Sequence, residues 1–337
     1  MKYFFLLILL PILSFAQDCS TINYLTEANS PFEKIPVADQ DGTGICYAYS
    51  SSQLMDYYLI KSGQTQTQSM HPAWTATKSS ASELRSGSED LSINAVRAAG
   101  SCNYQDVENA LDTFGAFASV SGSQLVNFIE NYAVALGKGQ DRGAAFYTAV
   151  NTTAPYCAKD TMWDMLLPDI SPLAGTSVEM FTRILGDSCK SSQLRHFNIP
   201  APVRTVIRDD ALAAPTINSL LERGPMTMGY CSQIWYDNRT YDGFDRNSYT
   251  AIPGCRPHSS LIVGRKMIGG SCHSLVRNSW GTGWGAWNED HLCICRDKRT
   301  REWVDQCNPR LHSSDRYTVE ACYIDQATLS VNVFDVT

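Results

Sequence analysis

Downstream of Cys46, Ala48, Ser52, Met55 and Leu59 recur at helical spacing with no intervening proline, and Lys61-Ser62-Gly63 supplies a basic last turn and a stop. The spacing predicts a helix whose first turn holds Cys46. The residues before it, Gln17 to Ala38, are irregular, contain Pro31 and Pro36, and read as an extended lead-in. Gly63 to Ser88 is rich in Ser, Thr and Gln and reads as a loop, with Met70-His71-Pro72-Ala73-Trp74 as an apolar anchor. A helix is predicted from about Leu91 to Ala99, ending at Gly100. Between Ser101 and Pro200 the pattern is mostly helical. Leu125, Phe128, Ile129, Tyr132 and Leu136 share a face that ends at Gly137, and Val178, Phe181, Ile184 and Leu185 share one before Gly186. Asn151-Thr152-Thr153-Ala154-Pro155 reads as a loop between them.

Pro215 to Gly224 reads as a helix with proline near its first turn, and Pro225 to Tyr230 as a strand. Short β-prone runs follow at Ser260 to Val263, Ser274 to Arg277, His291 to Ile294, Tyr317 to Tyr323 and Thr328 to Phe334. Helices first and strands afterwards predict an α+β fold of two lobes with a cleft where they meet.

With 337 residues, 44% hydrophobic and 18% charged, the chain can bury a sizeable core. A net charge of -7 gives no electrostatic reason to expect nucleic acid or an anionic membrane as partner. Lys2, the apolar run Tyr3 to Phe15 and Ser14-Phe15-Ala16 form an expected signal peptide over residues 1–16, so export is expected. Asp18 precedes Cys19 where a lipid anchor needs a small residue, and no later stretch is apolar enough for a membrane span.

Twelve cysteines in an exported chain point to disulfides. If Cys46 is free, eleven remain, which allows at most five bridges with one thiol over. Cys293 and Cys295 lie two apart on an expected strand, point the same way, and are expected to bridge to different partners. His291, Cys293, Cys295, Cys307 and His312 could be arranged as zinc ligands, but their spacing is irregular and export favours disulfides, so no metal is expected. Asn151 and Asn238 stand in Asn-x-Thr sequons.

The candidate chemistry centres on Gln40-Asp41-Gly42-Thr43-Gly44-Ile45-Cys46, a glycine-bearing loop running into the first helix. A helix N-terminus favours a thiolate, so Cys46 reads as a nucleophile; the plainer alternative is a buried thiol or half of a disulfide. A cysteine nucleophile needs a base, and the base needs a group that holds its ring. His258 opens the run His258 to Gly264, and Asn278 begins a Gly/Trp turn, Asn278-Ser279-Trp280-Gly281-Thr282-Gly283-Trp284-Gly285. Trp284 reads as core packing.

These segments resemble three motifs of the papain family of cysteine peptidases, in the same chain order. Gln40 with Gly44-Ile45-Cys46-Tyr47-Ala48 resembles the glutamine and nucleophile motif, His258 to Gly264 the histidine motif, and Val276 to Gly285 the asparagine motif. The resemblance implies a helical left lobe, an antiparallel β-barrel-like right lobe and an active site in the cleft. It implies that Cys46 and His258 form a thiolate–imidazolium pair, that Asn278 orients the ring under Trp280, and that Gln40 and the Cys46 N–H stabilise an oxyanion. Peptide bonds of a protein or peptide substrate would be hydrolysed through a thioester, without a cofactor.

The chain departs from the family in four places. Thr43 stands where the family usually has a cysteine, and the family's paired glycines are at best Gly87-Ser88. Beside these departures, Pro257, a candidate substrate-side residue before the histidine, says only that no side-chain charge is offered there. His258 follows Cys46 by roughly 80 residues more than the family's roughly 130, and the surplus falls in the helical block. The stretch between Ala16 and Gln40 is also too short for an inhibitory propeptide. The implied organisation is a signal peptide over 1–16, a helical lobe over 17–104, a mostly helical insertion over 105–200, and a β-rich lobe over 201–337 carrying His258 and Asn278. Two alternatives stay open: a binding or adhesion module on this scaffold, and an acyl-transfer or deamidation enzyme with the same triad.

Overall fold

The computed structural model describes residues 19–40, 43–80, 82–85, 87–116, 122–153, 175–186, 188–235, 244–245, 250–251, 254–282, 291–309 and 315–337. The expected signal peptide, Cys157, Asn238, Trp284 and His312 lie outside the described residues.

The lead-in carries β1 (Ile22–Asn23) and a 3-10 turn at Pro31–Lys34. Helix α1 (Cys46–Lys61) begins at Cys46 and ends at Ser62, as its periodicity and stop signal require. The expected loop over 63–88 contains a helix, α2 (Pro72–Ser79). Its start is hidden because the cap is a histidine: His71 Nδ1 accepts from the Ala73 N–H at 3.1 Å, and Pro72 fills the first turn, where no N–H is needed. Helix α3 (Glu89–Ala99) stops at Gly100, whose φ of 85° suits glycine.

Four helices follow: α4 (Tyr104–Ala116), α5 (Gly122–Gly137), α6 (Arg142–Thr153) and α7 (Ser177–Leu185). The expected loop at Asn151-Thr152-Thr153 is instead the last turn of α6. Thr152 Oγ1 donates to Thr148 O within that helix, and Thr153 Oγ1 accepts from Asn131 on α5, so these polar residues are satisfied in helical form. Phe128, Phe146 and Phe181 from this block share one core with Ile45, Tyr47 and Ala48 around the start of α1. The Cys102–Cys189 disulfide ties its two ends together.

In the second half, β2 (Thr205–Val206) precedes α8 (Asp210–Leu221). Asp209 caps α8 through the Ala211 N–H at 2.9 Å, so the helix starts earlier than expected and Pro215 is interior. The strands that follow are β3 (Met226–Cys231), β4 (Phe244–Asp245), β5 (Thr250–Ala251), β6 (Pro257–Ile268), β7 (Ser271–Arg277), β8 (Cys293–Asp297), β9 (Trp303–Cys307) and β10 (Tyr317–Asp325). The expected strand over 328–334 is mostly helix, α9 (Gln326–Asn332), and only then β11 (Val333–Val336). Asp325 starts α9 by accepting from the Ala327 N–H at 2.7 Å, which overrides the β preference of Thr328 and Val331.

Among the described residues, nine strands form one antiparallel sheet in the order β2-β11-β3-β6-β7-β10-β8-β9, with β1 added to β6. Both of its faces are covered. Leu261 and Val263 of β6 join Leu54, Met55 and Leu59 of α1 in one core, while Ile262 joins Ile217 of α8 and Leu329 of α9 in another. The fold is α+β, a helical lobe against an antiparallel sheet lobe, and strand alternation in β6 directs successive residues to opposite sides.

Five disulfides are present among the described residues, and Cys46 is a free thiol. Cys293 bridges to Cys322 on β10 and Cys295 to Cys307 on β9, one partner on each side of β8, as two cysteines facing the same way require. These bonds consume three of the residues that a zinc arrangement needed. Among the described residues no helix is long and apolar enough to cross a membrane.

Candidate active site

Cys46 is the first residue of α1 and is half-buried. The cap residue Ile45 offers no side-chain hydrogen bond, so the first-turn N–H groups keep no capping partner there. The sulfur lies against the N–H groups of Tyr47 and of Cys46 itself, and across the lobes against the N–H of Ser259. Those donors favour a thiolate, but enclosure by protein and the nearby Glu89 charge outweigh them and push the thiol up to about 12. The preceding turn needs Gly44, whose φ is 74° and where a Cβ would press on the Arg85 side chain at 3.2 Å.

Strand β6 explains how one short run serves two sides. Ser259 faces α1, its Oγ 2.5 Å from Ser50 Oγ. His258 faces the other way and is buried, with Nε2 2.7 Å from Asn278 Oδ1. The amide of Asn278 has only one possible orientation. The Ser279 N–H, a donor and nothing else, meets Oδ1 at 2.8 Å, and Ser260 Oγ reaches the same atom at 3.1 Å. Oδ1 is therefore the acceptor, His258 carries its proton on Nε2, and Nδ1 holds the free lone pair.

The proton directions continue outward. Ser260 gives its proton to Asn278 and so accepts from the Tyr230 hydroxyl at 2.9 Å, which itself accepts from Trp235 Nε1 at 2.6 Å. Trp280 stacks on the His258 ring at 4.8 Å and 30°, and Tyr230 meets it edge-on at 5.5 Å. Burial pulls the imidazole down to about 4, with the Asn278 hydrogen bond acting in the opposite direction.

Gln40 is buried and zipped to the asparagine turn. Its N–H donates to Ser279 O at 2.8 Å, and its Oε1 accepts from Ser279 Oγ at 2.6 Å, which leaves the Nε2 donors uncommitted to Ser279. Asp39 bridges Trp280, and Gly281, at φ 76°, is required because a Cβ there would come within 2.6 Å of Asp39 Oδ2. The structure thus brings Gln40, His258, Asn278 and Trp280 together through Ser279 and ring stacking, while Cys46 stands at the start of α1 with the Ser259 N–H acting on its thiol.

Gly87 is exposed and lies on the Tyr47 ring, where a Cβ would approach to 2.3 Å. Ser88 is the cap residue of α3, and Pro257 is exposed at the start of β6. Sequence reasoning missed Ser259, Ser260, Tyr230 and Trp235; alternation along the run from His258 could have suggested the two serines, whereas Tyr230 and Trp235 lie on a separate segment with no such signal. It also missed Glu89, buried after Ser88. Burial, and then the Asp335 charge, pushes the Glu89 carboxyl up to about 7, against a hydrogen bond from the Ser259 side chain.

No family model matches the sequence, and none of the curated proteins compared with it matches. Among solved structures, the chain is similar to a recombinant stem bromelain precursor, with 11% identity, 94% of this chain and 68% of that chain covered, and a TM-score of 0.43. It is similar to the bromelain protease of Ananas comosus in complex with the E64 inhibitor, with 11% identity, 94% and 96% coverage and a TM-score of 0.41. It is also similar to the digestive procathepsin L 3 of the Tenebrio molitor larval midgut, with 12% identity, 94% and 73% coverage and a TM-score of 0.40.

Proposed function

We propose that the protein is an exported cysteine peptidase that hydrolyses peptide bonds. The observation that carries this reading is the forced acceptor at Asn278 Oδ1, which fixes His258 with a free Nδ1 one residue from the Ser259 N–H that meets the Cys46 thiol. Burial favours a neutral thiol and a neutral imidazole at rest, and in this reading Nδ1 takes the thiol proton as the sulfur attacks.

The sulfur attacks the substrate carbonyl carbon and forms the C–S bond. The imidazolium returns its proton to the leaving amine as the C–N bond breaks. Water, deprotonated by the same imidazole, then cleaves the thioester. Gln40 Nε2 and the Cys46 N–H donate to the oxyanion, each contributing about 3 kcal/mol. Trp280 keeps water from the His258–Asn278 bond, and Gly87 and Ser88 present the edge along which substrate backbone docks. The disulfides support an oxidising destination.

The test is hydrolysis of a peptide library by the wild-type protein and by Cys46→Ala and His258→Ala. Turnover that disappears in both variants supports the reading, and turnover that survives in Cys46→Ala refutes it. A second reading, a binding module on this scaffold, is favoured by one observation: enclosure and the Glu89 charge both oppose ionisation of Cys46. It requires full biological effect in Cys46→Ala.

A further inference from the structure

Beyond the shared apolar core, the helical block between Ser101 and Pro200 reaches the surroundings of the candidate site through a buried polar contact. Glu130 on α5 is 2% exposed, yet its Oε1 accepts from the Arg85 N–H and from Ser177 Oγ, each at 3.0 Å. Ser177, at the start of α7, also accepts from the Leu84 N–H at 3.2 Å. The other sides of the same two residues reach Tyr47 and Thr43, on either side of Cys46 in the chain. Leu84 O accepts from the Tyr47 hydroxyl at 2.5 Å, Arg85 Nε donates to Thr43 O at 3.2 Å, and the Arg85 guanidinium also bonds Asn127 on α5.

Loop 84–85 is therefore stitched on one face to α5 and α7 and on the other to Thr43 and Tyr47, which flank Cys46. Gly87, two residues on, rests on the Tyr47 ring, so movement of the loop displaces the edge assigned to substrate along with the turn into α1. Thr43, where a family member would carry a cysteine, is held here by a guanidinium.

We infer that Glu130 and Arg85 are positioning residues: the helical block, through Glu130, clamps loop 84–85 so that Arg85 fixes the turn preceding Cys46 and Gly87 is held beside it. Burial pushes the Glu130 carboxyl up, and Ser177 and Arg85 draw it only part of the way back. The inference rests on the peptidase reading for what the clamp serves, but not for whether it exists.

The test uses the full chain and the variants Glu130→Ala, Glu130→Gln, Arg85→Met and Arg85→Lys, with two readouts. Amide exchange should rise at least tenfold at 84–85 and 43–47 in Glu130→Ala, with β7 unchanged, and Glu130→Gln, which keeps an acceptor, should restore most of the protection. Peptide kcat/KM should fall about tenfold in Glu130→Ala and Arg85→Met, with partial recovery in Arg85→Lys. Exchange within twofold of wild type at 43–47, or an equal rise throughout the sheet, overturns the clamp. If Glu130→Ala does not fold, Arg85→Met decides, because its guanidinium is at the surface. A wild-type protein that cleaves no peptide sinks the peptidase reading alone, and the exchange data still decide the clamp.

Discussion

Asn278 Oδ1 receives three hydrogen bonds at once, from His258 Nε2 at 2.7 Å, Ser279 N at 2.8 Å and Ser260 Oγ at 3.1 Å, while its Nδ2 is buried with no partner among the described residues. An amide that forgoes its own donors to serve as a triple acceptor defines which nitrogen of His258 is protonated.

Replacing that acceptor has two separable effects. Asn278→Ala leaves three buried donors unpaired, about 1–3 kcal/mol each, so the melting temperature should drop and kcat/KM should fall by about 10- to 100-fold. Asn278→Asp keeps an acceptor but adds a charge that favours imidazolium. Its acid limb should move to higher pH, as read from kcat/KM against pH.

Reactivity of Cys46 should be bounded on both sides. Alkylation needs neutral His258, so its rate should rise as pH increases through about 4. It should decline as Glu89 ionises through about 7, because that charge opposes a developing thiolate. Glu89→Gln should abolish the decline, measured as iodoacetamide labelling rates from pH 3.5 to 9.

Stability carries the same signs. His258 is held below its ordinary 6.5, so between about 4 and 6.5 the unfolded chain binds more protons. The contribution of the neutral ring is complete above 6.5 and is lost as pH falls toward 4, on the order of 3 kcal/mol. Glu89 is held above its ordinary 4.5, so its contribution is complete below 4.5 and is lost as pH rises through about 7. Thermal melts of wild type against His258→Gln should converge on acidification, and melts against Glu89→Gln should converge as pH rises.

Gly281 tests the zipper between Asp39 and Trp280. Gly281→Ala places a Cβ 2.6 Å from Asp39 Oδ2 at a φ of 76°, which costs about 1–2 kcal/mol and shifts the Gln40 loop. We expect kcat to fall more than KM changes, because Gln40 acts on the oxyanion rather than on bound substrate.

The parts of this molecule legible in the sequence are those with local signals. Cys46 starts its helix where the periodicity begins, Gly100 stops another, and Cys293 and Cys295 bridge apart because a strand sends both the same way. Gln40, Cys46, His258 and Asn278 stood out through their flanking motifs. The rest depends on contacts distant in the chain. The α2 start rests on a histidine cap, and α9 forms from β-prone residues because Asp325 caps it and Leu329 packs on the sheet. Glu89 looks like an ordinary acidic first-turn residue until Asp335, far along the chain, is brought near it. Arg85 and Glu130 carry no pattern of their own, since their partners come from loops and helices that only the fold assembles.

The most direct measurement is iodoacetamide labelling of the folded, unreduced protein, with the modified residue identified by mass spectrometry and the rate compared between wild type and His258→Ala. The account predicts labelling at Cys46, slowed at least about 100-fold without His258, in step with loss of peptide hydrolysis. Cys46 left unlabelled in folded protein, or labelled at the same rate without His258, would contradict it.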